Sequence, residues 1–127
     1  KEIKAWAKSG GGVRKSEHYE TGALKLTYDT IKRYLGHARN ADEKWLLADI
    51  EENPQRLKFV RFDPLGDNKD MSSERDKKNV TKKAERHVTG YNVYDYEIGG
   101  KSYRIGFEVV RKGEELYEQP YYVKKKN

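Results

Sequence analysis

Seven side chains in the C-terminal part of the chain have the types needed for proton transfer and phosphate binding: His87, Thr89, Tyr91, Arg104, Glu108, Tyr117 and Tyr121. Cleavage of RNA without a metal needs a base for the ribose 2′-hydroxyl and an acid for the 5′-leaving oxygen. It also needs cations for the charge on phosphate. His and Glu can divide the acid and base roles, because their surroundings can bring both pKa values toward neutrality. Arg binds phosphate in bidentate fashion and stabilises the added transition-state charge. Tyr can stack on a base or donate to phosphate. These residues are scattered in sequence, so they form a site only if the fold gathers them on one surface.

The stretch from His87 to Val123 is predicted to do this. Its three strand-like runs are separated by Gly99-Gly100 and by Lys112-Gly113. Glycines supply the φ > 0 positions that tight hairpin turns need, so the stretch reads as an antiparallel meander. With Gly99-Gly100 as the first turn, Ile98 faces Lys101, Tyr96 faces Tyr103, Tyr94 faces Ile105 and Asn92 faces Phe107. Side chains alternate between faces. One face then carries Tyr94, Tyr96, Ile98, Tyr103, Ile105, Phe107 and Val109, an apolar core face. The other carries His87, Thr89, Tyr91, Val93, Asp95 and Glu97, with Ser102, Arg104, Gly106, Glu108 and Val110. With Lys112-Gly113 as the second turn, Arg111 pairs with Glu114, Glu108 with Tyr117 and Arg104 with Tyr121. The Glu118-Gln119-Pro120 run is where a bulge is expected, since Pro cannot donate to the ladder. A plain alternative is that Asp95 and Arg104 form an ordinary cross-strand ion pair on a solvated face.

His87 is the leading acid–base candidate, at the junction of a basic segment with the sheet. Lys83 and Arg86 would lower its pKa and Glu108 would raise it. His37 comes next, on a helix facing the sheet edge, and His18 reads as a surface residue. Three scattered histidines do not make a catalytic zinc site, and no acidic cluster has metal-nuclease spacing, so no metal or other cofactor is expected. Nucleophile-elbow, Ser-His-Asp and Walker patterns are absent. Lys15 and Ser16 after Gly10-Gly11-Gly12 lack phosphate-loop spacing.

The elements before the meander read as helical. Thr27 is placed to cap a helix over residues 28–38, with Ile31, Tyr34, Leu35 and Ala38 on its buried face. Asn40 and Glu43 read as a capping box opening a second helix over 41–52, with Trp45, Leu46, Ala48 and Ile50 as burial candidates and Asn53-Pro54 as the stop. Residues 57–62 alternate as a strand and 23–27 form a short apolar run. A short helix at 2–8 is followed by a glycine-rich joint, which makes residues 1–22 a linker or N-terminal extension. Residues 23–127 are expected to form a single domain with a basic insert at 66–86. Helices followed by strands give an α+β class, with the helices on one face of a roughly four-stranded antiparallel sheet.

The chain has 127 residues, 27 Lys and Arg against 21 Asp and Glu, and a formal net charge of +6. That balance favours polyanionic partners. Lys78, Lys82, Lys83 and Arg86 make the insert a candidate phosphate-gripping arm. The chain has no cysteine, so disulfides and thiolate chemistry are excluded. No apolar run is long enough to span a membrane.

With its helices followed by a sheet that a His/Thr/Tyr strand enters, the chain resembles the barnase, EndoU, colicin and RelE superfamily of small ribonucleases. More narrowly, YNVYDYEIGGKSYRIGFEV followed by GEELYEQPYYV is similar to nuclease toxin domains of phage and mobile-element polyvalent proteins and of bacterial polymorphic toxins. The resemblance covers residues 23–123, and the hairpin carries most of it. It implies a bacterial, metal-independent RNase, delivered as the C-terminal part of a secreted or mobile-element protein. Such a domain acts on RNA in the cytoplasm of a target or host cell and is neutralised by an acidic immunity protein. By position, His87, Thr89, Arg104 and Glu108 would match the family's sheet-face residues, and Lys25 or Lys32 its helix-side lysine. The insert at 66–86 departs from the pattern.

The expected activity is therefore RNA cleavage, with tRNA as a candidate substrate. His87 and Glu108 are its acid–base candidates, Arg104 binds phosphate, and Thr89, Tyr91 and Tyr117 position the substrate. Lys25, Lys32, Lys78, Lys82, Lys83, Arg86 and Tyr121 are the RNA-binding candidates. A non-catalytic nucleic-acid-binding module and a protein-docking domain of a phage or mobile-element protein are the rivals.

Overall fold

Two short polar side chains start the helices. In the computed structural model, which describes residues 12–66, 78 and 82–126, Thr27 caps α1, Tyr28–His37, in a reciprocal box with Thr30. Asn40 caps α2, Ala41–Glu52, through the Glu43 amide. Each cap satisfies backbone N–H groups that have no partner inside the helix. Asn53 ends α2 before a single 3-10 turn at Pro54–Arg56. The expected helix at 2–8 and most of the basic insert lie outside the described residues.

The strands are β1, Gly12–Lys15; β2, Ala23–Leu26; β3, Lys58–Pro64; β4, Val88–Ile98; β5, Lys101–Lys112; and β6, Glu115–Lys125. They form one sheet of six strands in the order β1-β2-β6-β5-β4-β3. The class is α+β with helices packed on a sheet, as expected, but the expectation of four antiparallel strands needs correction. The sheet is mixed, because β2 lies parallel to β6 through Leu24 and Glu118. Four-residue strands such as Gly-Val-Arg-Lys are too short to show alternation. Residues 12–22 also belong to the folded body, although the sequence placed its start at 23. β1 pairs with β2, and Tyr19 is buried in the core.

The β4–β5 register is as expected, with Tyr96 opposite Tyr103 and Tyr94 opposite Ile105. Gly99 and Gly100 have φ of 57° and 76°, the pair of positive values that a type I′ turn requires. The β5–β6 turn differs: Lys112 pairs with Glu115, so Gly113 and Glu114 are the turn residues. Gly113 alone has positive φ there, which is the type II′ pattern with Gly first. The partner of Glu108 becomes Gln119 instead of Tyr117. As far as Pro120 this shift of two residues keeps side chains on their expected faces. Beyond it the shift is three, so Arg104 faces Lys124 instead of Tyr121, Tyr122 moves to the outer face and Val123 to the core.

Tyr94, Tyr96, Tyr103, Ile105 and Phe107 form the core with Leu24, Leu26, Ile31, Tyr34, Leu46, Leu47, Ile50 and Val123. In α2 the inward stripe is Glu43, Leu46, Leu47 and Ile50. Trp45, expected to be buried, instead lines an open cleft of about 490 Å³ with Ile98 and Tyr103. Buried tyrosines find partners: the Tyr34 hydroxyl donates to the Glu43 carbonyl at 2.7 Å, Tyr94 donates to Glu118, and Tyr96 donates to Asp49. Tyr19 differs from these three: its hydroxyl is buried and has no hydrogen-bond partner among the described residues. An unsatisfied buried hydroxyl costs roughly 1–3 kcal/mol. Tyr19→Phe is therefore expected to leave the urea midpoint unchanged or to raise it, whereas Tyr94→Phe lowers it.

Among the described residues, no helix is long and apolar enough to cross a membrane.

Candidate active site

The sheet face opposite the core, here the outer face, is organised around Glu108. Its side chain is fully buried, with no exposed area. Gln119 Nε2 donates to its Oε1 at 2.8 Å, and Arg33 Nη1 lies 3.2 Å from the same oxygen. Lys83 Nζ lies 3.0 Å from Oε2. A buried carboxylate is tolerated only when paired in this way.

These partners come from separate elements. Arg33 is on α1, which packs beside β6. That position lets Ile31 and Tyr34 enter the core while Arg33 and His37 reach the outer face. Lys83 is in a helical turn at 82–85 just before β4. Tyr91, directly opposite Glu108 on β4, accepts a hydrogen bond from Lys83 Nζ at 2.6 Å. The Tyr91 and Tyr121 rings stack with centroids 5.4 Å apart. Lys83 Nζ sits 3.6 Å from the Tyr121 centroid, and the Arg33 guanidinium lies 5.7 Å from it on the same ring. His37 meets Tyr121 edge-on at 5.1 Å. Burial works against the Lys83 charge, but hydrogen bonds to Tyr121 and Tyr91 and the charge of Glu108 outweigh it and raise its pKa. Burial also raises the pKa of Tyr91, although Lys83 opposes it. At neutral pH the cluster therefore holds a charged lysine beside a neutral tyrosine.

Two β-bulges shape the face. One lies at Tyr121, where Gly106 pairs with Tyr122 and Phe107 with Pro120. It follows Pro120 directly, one residue beyond the Glu118-Gln119-Pro120 run where a bulge was expected. Tyr122 lies flat on Gly106, where an added Cβ would come within 2.1 Å of the ring. The second bulge lies at Thr89, where Val88 pairs with Val110 and Gly90 with Val109. It shifts the strand by one residue, so Val88 sits opposite Val110, the position expected for Thr89. His87 itself is exposed and left-handed, with φ of 66°. Its backbone is tied to Ala84 and Arg111. None of the described contacts of Glu108, Lys83 or Arg33 involves it.

The other candidates are dispersed. Arg104 pairs with Asp95 at 3.1 Å, the ordinary cross-strand pair foreseen as the plain alternative. Burial pushes the Asp95 carboxyl up, but hydrogen bonds from Lys126 and Arg104 bring it below its ordinary value. The Thr89 hydroxyl donates to the Val109 carbonyl at 3.3 Å. Tyr117 faces Val110 and lies under Lys25, whose Nζ is 5.2 Å from the ring centroid. Lys32, Lys78, Lys82 and Arg86 are exposed. The structure thus gathers Glu108, Tyr91, Tyr121 and Lys83 from the sequence candidates and leaves His87, Arg104, Thr89 and Tyr117 outside the cluster. Arg33 and Gln119 were missed, and His37, ranked second among the histidines, is the one that touches the cluster. The spacing of Arg33 and His37 was the available signal, because residues four apart share one helix face. Among the described residues, no three His, Asp or Glu side chains converge as a metal-binding group.

Compared with protein-family models, curated proteins and solved structures, the chain matches none.

Proposed function

We propose that the outer face is the active surface of a metal-independent ribonuclease. One observation supports this reading above the others: Arg33, Lys83, Tyr91 and Tyr121 converge on buried Glu108 with His37 at the rim. Two cations from different elements suit the non-bridging oxygens of a phosphodiester and the extra charge of its transition state. The stacked tyrosines suit an unpaired base.

In this reading His37 accepts the ribose 2′-hydroxyl proton as that oxygen attacks phosphorus. The bond from phosphorus to the 5′ oxygen breaks, and the Tyr121 hydroxyl, beside Lys83, donates a proton to the leaving oxygen. The products are a 2′,3′-cyclic phosphate and a free 5′-hydroxyl. Glu108 is enclosed and touches no substrate, so it is a positioning residue that holds Arg33 and Lys83. An acidic inhibitor would find the same cations. As in the toxin domains the chain resembles, the activity would be exerted on RNA in the cytoplasm of a target cell.

The second reading, an RNA-binding module without cleavage, draws on the single charge of Glu108, which offsets one of the two cations and leaves a net positive charge for phosphate. Incubation with RNA in EDTA separates the two. Cleavage leaving a cyclic phosphate, blocked by 2′-deoxy substitution at the cut site, is expected. Retention of intact RNA that weakens steeply with salt would support the binding module instead.

A further inference from the structure

Among the described residues β3 is an edge strand, paired on one side only, to β4. Three of its side chains are large, apolar and open to solvent: Phe59 at 43%, Val60 at 38% and Phe62 at 42% exposure. A single exposed apolar residue means little. Three within four positions, beside an open row of backbone N–H and C=O groups, form a template for another strand.

The bulge in β3 gives this edge two distinct faces. Phe59 pairs with Tyr94, Arg61 with Val93 and Phe62 with Asn92, so Val60 is the extra residue. Without it, Phe59 and Phe62 would point to opposite faces, being three residues apart. With it, both lie on the helix side of the sheet, while Lys58 and Asp63, opposite Asp95 and Tyr91, lie on the outer face. Both rings are held in place by β4. Phe59 packs edge-on against Tyr94 at 5.7 Å, and Phe62 lies over Gly90, where a Cβ would come within 2.5 Å of the ring.

We propose that β3 pairs antiparallel with β3 of a second copy of this chain, about a twofold axis between Val60 and Arg61. An isologous contact must be self-complementary. In this register Lys58 of each copy faces Asp63 of the other on the outer face. Phe59 of each faces Phe62 of the other on the helix face. Opposed residues share a face in an antiparallel pair, and both pairs meet that condition. A slip of one residue would set Arg61 against Arg61 and Phe59 against Asp63. The pairing leaves the internal Arg61–Asp63 ion pair at 2.8 Å in place. An edge of seven residues spans about 23 Å. That is small against a standard interface of about 1,600 Å², so the dimer is weak and dependent on concentration.

Sedimentation of the full chain between about 1 µM and about 500 µM tests this. A monomer–dimer equilibrium is expected. Lys58→Asp and Asp63→Lys each place like charges opposite one another twice and are expected to weaken association at least about tenfold. Mixing the two variants restores Lys–Asp pairs at both positions, so the mixture is expected to dimerise although each variant alone does not. Unchanged circular dichroism verifies that both variants are folded. A wild-type chain that stays monomeric throughout, a dimer indifferent to both substitutions, or a mixture that fails to associate would each overturn the proposal. The result is independent of any activity on the outer face.

Discussion

Glu108→Ala is expected to destabilise the fold by about 3–5 kcal/mol, because it leaves Arg33 and Lys83 facing each other without their shared counter-charge. The loss corresponds to a fall of roughly 10–20 °C in melting temperature, a large part of the stability of a domain of this size. The cost comes from the abandoned cations more than from the missing contact. Replacing Glu108 with Leu together with Arg33→Met and Lys83→Met is therefore expected to recover most of the loss, since an apolar cluster of similar volume substitutes well for a buried ion pair. Thermal melts of the single and triple variants test this. A single variant as stable as the wild type would mean that Glu108 is solvated and does not organise the face. A triple variant no better than the single one would show that the carboxylate, not the stranded cations, carries the stability.

Raising the pH is expected to unfold the protein steeply. Burial raises the pKa of Tyr34 and Tyr94 far above the ordinary tyrosine value. The Glu43 charge adds to the effect at Tyr34, and Glu118 adds to it at Tyr94. Burial, with Glu51 and Glu118, pushes Tyr19 up to about 12, and burial with the Asp49 hydrogen bond raises Tyr96. These groups stay neutral in the fold but ionise in the unfolded chain near pH 10. Their contribution is whole below pH 10 and is lost as pH climbs toward the folded values. Each group still protonated in the fold contributes a slope of about 1.4 kcal/mol per pH unit. The phenolate absorbance of these tyrosines should therefore appear together with loss of circular dichroism in one cooperative transition above pH 10. Gradual ionisation of all tyrosines with the fold intact would show that their hydroxyls reach solvent.

The parts of this fold that were legible in the sequence have local causes. Thr27 and Asn40 mark their helices because capping is decided within four residues. The β4–β5 register follows from two adjacent glycines, both at positive φ. The β5–β6 register was misjudged because a lone turn glycine was assigned to the second position, where type II′ geometry puts it first. The bulges at Thr89 and Val60 were not legible, since they depend on which rings lie over Gly90 and on how β4 meets its neighbours. The same reason limits the site. Alternation was enough to put Tyr91 and Glu108 on one face, but a bulge just upstream moves His87 away from it. Arg33 enters from a helix whose placement beside β6 is a long-range result of the parallel β2–β6 pairing. The inward face of α2 shows the value of a complete period: Glu43, Leu46, Leu47 and Ile50 fit it, and Trp45 does not.

The proposed function depends most directly on which histidine, if either, moves protons. The decisive measurement is the rate of RNA cleavage in EDTA by the wild-type chain, His37→Ala and His87→Ala, all verified as folded. Wild-type cleavage that falls about 10²–10⁴-fold in His37→Ala and stays near the wild-type rate in His87→Ala is the expected result. Cleavage that survives loss of His37 but not of His87 would contradict the proposed site, and no cleavage by the wild-type chain would contradict the ribonuclease reading itself.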